Sequence, residues 1–149
     1  MSPENNKAIA RRFVEEFFNK RNVDILDELF APDVVEHQIG FADELRGRPA
    51  VKDLYTSFLN AFGDLHLELE DEIAEGDSVV QRFTTSGTHT GPLVSPGGTI
   101  PPTGKRATWA AIHIARITNG KMVEGWGLGD NIGMMQQLGI IPAPGQTGG

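Results

Sequence analysis

The side chains best suited to chemistry near neutral pH are His37, His66, His89 and His113, with a few acids placed near them. No His-x-His or His-Glu-x-x-His spacing joins them, so no metal site is expected. The absence of cysteine removes disulfides, thiolate zinc sites and a thiol nucleophile. No Gly-x-Ser-x-Gly elbow offers a serine nucleophile. What remains is proton transfer by isolated imidazoles and carboxylates.

His113 is the first candidate. In the segment Ala107–Ile117, alternation puts Trp109, Ala111, His113 and Ala115 on one strand face. An imidazole titrates near neutrality and suits acid/base work there, although a lone histidine on an apolar face also fits a core residue satisfied by one hydrogen bond. Asp130 is the second candidate. It directly precedes Asn131-Ile132-Gly133-Met134-Met135, where a carboxylate would equally cap a helix. Glu124 shares strand parity with Trp126, and is a displaced base if that face looks inward or a sheet-surface carboxylate if it does not. His66 lies on the polar face of its strand, and His89 precedes a Gly/Pro-rich loop.

Helices and strands must position these groups. Ser2 and Pro3 open a first helix in which Ile9, Phe13 and Phe17 form a stripe widened by Val14 and Phe18. Asn22 is expected to cap a short second helix ended by Pro32, and Asp33–His37 reads as a short strand. Pro49 opens a third helix carrying Val51, Leu54, Tyr55, Phe58, Leu59 and Phe62, and Gly63 stops it. The period then switches to two: Leu65, Leu67 and Leu69 alternate with polar residues, and Ser78–His89 reads as the next strand. Asn119-Gly120 is a type I′ hairpin signal joining Ala107–Ile117 to Met122–Leu128. A closing helix runs from Asp130 to Gly139. The order is α-α-β-α-β-β-β-β-α, an α+β fold with helices over one face of a mostly antiparallel sheet.

The chain has 149 residues, enough for a single domain spanning 1–141, followed by a Pro/Gly-rich tail at 142–149 that is expected to be flexible. A net charge of −7 with scattered basic residues argues against a nucleic-acid partner. No apolar run is long enough to span a bilayer and no apolar signal core is present, so no membrane partner and a cytoplasmic location are expected. The Ala107–Ile117 strand is apolar on its second face too, through Ala110, Ile112 and Ile114, which predicts a homodimer through the outer sheet face. Residues Gly91 to Gly104 hold four prolines and four glycines, a pattern fitting either a lid or a stiff connection.

Several motifs in order resemble the SnoaL-like polyketide cyclase family, within the nuclear-transport-factor-2-like superfamily. They are Ile9-Ala10-Arg11-Arg12-Phe13, Asp27 to His37, Gly87 to Gly91 with Ile100 to Lys105, Asn119 to Trp126, and Asp130 with Met135 to Gly139. The resemblance spans roughly Ile9 to Gly139. It implies a cone-shaped curved sheet closed by N-terminal helices around an internal pocket. It also implies cofactor-free intramolecular aldol cyclisation of a polyketide ester, or a related isomerisation or hydrolysis. The small hydrophobic carbonyl compound would be lined by His37, Trp109, Trp126, Phe17 and Tyr55, with His113 and Asp130 catalytic. The family's active-site histidine matches His113. The cyclase aspartate after the Trp126 position is Gly127 here, and the family's glutamine two residues before the histidine is Ala111. That departure supports an alternative, a non-catalytic small-molecule-binding or dimerisation module of the same fold.

Overall fold

The computed structural model describes residues 2–40, 44–95 and 97–142. The expected tail lies, Pro142 apart, outside the described residues.

The helical periodicity at the start forms α1 (Pro3–Phe13), where the Ser2 hydroxyl accepts from Asn5 N at 3.1 Å. The helix continues as a π-helical segment, Val14–Asn19, and Lys20 N reaches back to Glu15 O. Phe13, Val14, Phe17 and Phe18 are all buried. The short α2 (Ile25–Leu29) starts from Asp24 rather than Asn22 and ends before Pro32. Pro32 instead lies within β1 (Phe30–Gln38), in the stretch where the register of β1 shifts between Phe30 and Val35. A proline cannot donate to a strand ladder, so an irregular stretch is where it is tolerated.

After β2 (Leu45–Arg46), the helix α3 (Arg48–Ala61) buries Val51, Tyr55 and Leu59. The strands β3 (His66–Glu75) and β4 (Ser78–Thr88) follow as expected from their alternation. The Gly/Pro-rich segment contains a small hairpin of β5 (Leu93–Ser95) and β6 (Gly98–Ile100). It is anchored to the end of α3: Gly91 N donates to Ala61 O, and any Cβ at Gly91 would strike the Asn60 carbonyl. The long strands β7 (Arg106–Thr118) and β8 (Lys121–Gly129) are joined at Asn119 and Gly120, whose φ values of 53° and 76° fit the expected turn. The last helix, α4 (Asn131–Gln137), is held to β7 because the Gln137 amide pairs with both the N–H and the carbonyl of Thr108 at 2.7 Å.

The six-stranded curved sheet has the order β2-β1-β8-β7-β4-β3. All neighbours are antiparallel except β1 and β8, which run parallel, so the sheet is mixed. It is also open, with β2 and β3 as its edges, and does not close into a barrel. The helices pack on its inner face around an aromatic cluster, in which Phe13 lies 4.7 Å from Phe30 and 5.6 Å from Tyr55 between ring centroids. The outer face leaves Ile112, Ile114 and Leu128 exposed.

Candidate functional site

Strand parity brings a row that carries most of the polar groups across a mainly apolar inner face. Gln38 of β1 is in register with Gly127 of β8, Gly127 with His113 of β7, His113 with Gln81 of β4, and Gln81 with Glu72 of β3. Neighbouring strands are about 4.8 Å apart, so side chains on β1 and β7 stand two spacings apart with β8 between them. On β8 the intervening inner positions are Gly125 and Gly127. With no side chains there, groups from β1 and β7 meet over the backbone of β8.

The meeting point is Glu36, which is fully buried. Its Oε1 accepts from the Tyr55 hydroxyl at 2.7 Å, from Gln38 Nε2 at 2.9 Å and from His113 Nε2 at 2.8 Å. Burial by itself would raise the Glu36 carboxyl, but the His113 charge and the hydrogen bonds of His113, Tyr55 and Gln38 outweigh it and hold it below the ordinary carboxylate value. Tyr55 moves the other way: burial and the neighbouring Glu36 charge push its phenol well above the ordinary value. Since an ionised Glu36 only accepts, His113 carries a proton on Nε2 towards it, and in the neutral imidazole the lone pair is then on Nδ1. Nδ1 takes no hydrogen bond from the described residues. Glu36 Oε2 is buried without a partner, against Gly125, where any Cβ would strike both Glu36 and His113.

His113, Tyr55 and Gln38 open onto a cavity of about 140 Å³. Its other walls are mainly apolar: Phe13, Val14, Phe18, Phe58, Phe62, Leu65, Leu67, Phe83, Trp109, Ala111 and Met134. Gln81, Thr85 and Asn131 add polar atoms further from Glu36. Such a site can hold a hydrophobic molecule and move a proton at one end of it. Among the described residues no group of three or more metal-ligating side chains occurs, and no helix is long and apolar enough to cross a membrane.

Of the residues expected at the site, the cavity brings together His113, Trp109 and Tyr55. Asp130 stands apart as an exposed helix cap, its Oδ1 accepting from Gly133 N at 2.9 Å. Phe17 does not reach the cavity, because it is fully buried among Phe13, Phe18 and Tyr55. His37 and Trp126 lie off the cavity on the outer face, stacked with ring centroids 5.3 Å apart. Successive residues of a strand point to opposite faces, so the inward position of Glu36 turns His37 outward. There His37 pairs with Glu124 at 2.9 Å, and Arg116 bonds the same carboxylate and lies over Trp126. Glu124 is therefore a surface carboxylate. His89 is buried away from the cavity, its Nδ1 accepting from Thr103 N at 3.2 Å. None of the described residues from Gly91 to Gly104 lines the cavity, so that segment is a connection and not its lid.

Sequence reasoning missed Glu36 and Gln38. The available signal was the parity of Val34, Glu36 and Gln38: a strand whose apolar parity continues into a carboxylate and an amide points both at the core.

Comparison with known proteins bears on the chemistry. A family model described as SnoaL-like polyketide cyclase matches residues 8–138. The chain is 33% identical over 144 residues to aklanonic acid methyl ester cyclase DauD of Streptomyces sp. (strain C5), covering 93% of this chain and 83% of that protein. It is 31% identical over 136 residues to aklanonic acid methyl ester cyclase DnrD of Streptomyces peucetius, covering 88% of each. Among solved structures, AclR from Streptomyces galilaeus superposes with a TM-score of 0.81 at 30% identity, covering 95% of this chain and 85% of that one.

Proposed function

The chain belongs to the SnoaL-like polyketide cyclase family, and on that premise we propose that it is a cofactor-independent acid/base enzyme acting on a small hydrophobic carbonyl compound. The observation that carries this reading is the His113–Glu36 pair at the wall of an apolar cavity. His113 Nδ1 takes a proton from a carbon next to a carbonyl, and the electron pair moves onto that carbonyl oxygen as an enolate. Glu36 stabilises the imidazolium that forms. In an aldol closure the enolate carbon bonds to a second carbonyl carbon of the same molecule, and the imidazolium returns the proton to the new alkoxide. The Thr85 hydroxyl is a lining donor suited to the enolate oxygen, while the Gln81 amide already donates to Glu72 Oε2 at 2.8 Å. Glu36 touches no substrate and is a positioning residue.

The names of the two relatives, both methyl ester cyclases, favour ring closure of a polyketide methyl ester as the reaction. A second reading, a non-catalytic binding module, is favoured by one observation. At Gly127 the space a side chain would need is taken by the Gln38 amide, with Nε2 2.5 Å from where a Cβ would stand. A homodimer through the exposed Ile112, Ile114 and Leu128 completes the proposal.

The test is turnover of an aromatic β-keto ester, followed as ring closure by mass-resolved chromatography. The wild-type chain is expected to close the ring and His113→Ala to lose turnover by at least about a hundredfold while still folded. Full activity in that variant removes His113 from the mechanism. Binding without turnover by the wild-type chain favours the binding module.

A further inference from the structure

The Gln38 amide is oriented by what surrounds it. Nε2 stands 2.9 Å from Glu36 Oε1 and 3.4 Å from the Tyr55 hydroxyl, whose own proton goes to Glu36. The reversed amide would set its oxygen against a carboxylate, acceptor against acceptor. The Nε2 end of Gln38 is therefore turned into the buried cluster, with Glu36 Oε1 and the Tyr55 hydroxyl as its partners. Its Oε1 accepts no hydrogen bond from the described residues, although Gln38 lines the cavity.

His113 repeats the pattern, with its Nε2 proton on Glu36 and a lone pair left at Nδ1. Glu36 thus draws three donors away from the cavity. What its neighbours present to a ligand is a pair of acceptors, Gln38 Oε1 and His113 Nδ1. A ketone or ester oxygen placed against Gln38 Oε1 would set acceptor against acceptor in an apolar site, which is unfavourable. A hydroxyl placed there satisfies both groups. Further along the wall, the Thr85 hydroxyl can donate or accept and discriminates less, and the Gln81 amide donates to Glu72.

We propose that Gln38 Oε1 is the recognition point for a ligand hydroxyl, so that the site selects hydroxyl-bearing compounds over the corresponding ethers. The inference rests on the reading of this cavity as a site for hydrophobic carbonyl compounds, and it adds which polar group the ligand must carry. Gln38 is then a specificity-determining residue, and His113 remains free to take the carbon-bound proton.

The experiment measures calorimetric affinities of 1-naphthol and 1-methoxynaphthalene for the full chain and for Gln38→Leu. The wild-type chain is expected to prefer the naphthol by about tenfold, the worth of one hydrogen bond in an apolar site. Gln38→Leu is expected to lose that preference and to keep its affinity for the ether, which also shows that the variant is folded. Equal affinities in the wild-type chain overturn the proposal while leaving the cavity reading intact. A preference retained in Gln38→Leu assigns the hydroxyl to another acceptor of the wall and overturns it as well. Failure of both compounds to bind overturns the proposal and the cavity reading together. Should Gln38→Leu not fold, 1-acetylnaphthalene, an acceptor-only compound, replaces it as the probe. Wild-type affinity for that ketone equal to or above that for the naphthol overturns the proposal, and weaker affinity supports it.

Discussion

His113 Nε2 and Glu36 Oε1 lie 2.8 Å apart although the two residues are 77 positions apart in the chain and stand on strands that are not neighbours. Two glycines on β8 make that contact possible. The pair links a cavity-facing imidazole to a buried charge: His113 lines the cavity, and Glu36 has no surface at all. A carboxylate behind an imidazole fixes the tautomer and stabilises the imidazolium, so the two residues work as one group.

Glu36→Gln separates positioning from binding. The variant keeps the shape of the side chain and removes its charge, while the cavity wall is unchanged. The expected result is a kcat lowered by about tenfold or more with KM nearly constant. Steady-state kinetics on the ring-closing substrate checks this, and a KM rise with constant kcat would place Glu36 in ligand binding instead.

Stability should fall at both ends of the pH scale for opposite reasons. The Glu36 carboxyl is held below its ordinary 4.5, so the unfolded chain binds that proton more tightly than the fold does. Its contribution is complete above pH 4.5 and is lost as pH falls through the lowered value. The Tyr55 phenol is raised above its ordinary 10.0, so its contribution is complete below pH 10.0 and is lost as pH climbs through the raised value. Urea unfolding across pH should show a flatter acid limb in Glu36→Gln and a flatter alkaline limb in Tyr55→Phe.

Gly125→Ala should damage both fold and function. Its added methyl would enter the space of Glu36 Oε2 and His113 Nε2. Overpacking of this kind costs about 1–3 kcal/mol, and here the displaced atoms are those of the proposed acid/base pair. A lower melting temperature together with lost turnover is expected. A variant as stable and as active as the parent would show that the pair tolerates displacement.

Asp130→Ala should do the reverse. The side chain caps α4 through Gly133 N, and losing a cap costs about 1 kcal/mol. Turnover at saturating substrate is expected to stay within about twofold of the parent, below the loss typical of a missing acid or base. Loss of turnover without loss of stability would restore Asp130 as a catalytic group.

The outer sheet face gives a prediction on assembly. Ile112 is in register with Leu128, and Ile114 with Trp126, so these apolar groups form one continuous patch. Sedimentation is expected to show a dimer for the parent chain and a monomer for Ile114→Glu, since a buried unpaired carboxylate is costly. A monomeric parent at all concentrations would remove the dimer from the proposal.

Much of this protein is determined locally. The 3.6-residue stripe through Phe13 and Phe17, the two-residue alternation through Trp109, Ala111 and His113, the Asn119-Gly120 hairpin and the Asp130 cap all follow from residues within a few positions of one another. His113 was legible for that reason: its strand is long, and its parity is shared with Trp109, which also lines the cavity. Glu36 and His37 show where local reading stops. Alternation assigns two neighbours to opposite faces, but which face looks inward depends on the partner strand, and a slip of one residue exchanges them. That partner is β8, paired in parallel from the far end of the chain. Only the tertiary structure turned Glu36 inward, moved His37 and Trp126 to the outer face, and joined His113 to a buried carboxylate across two glycines.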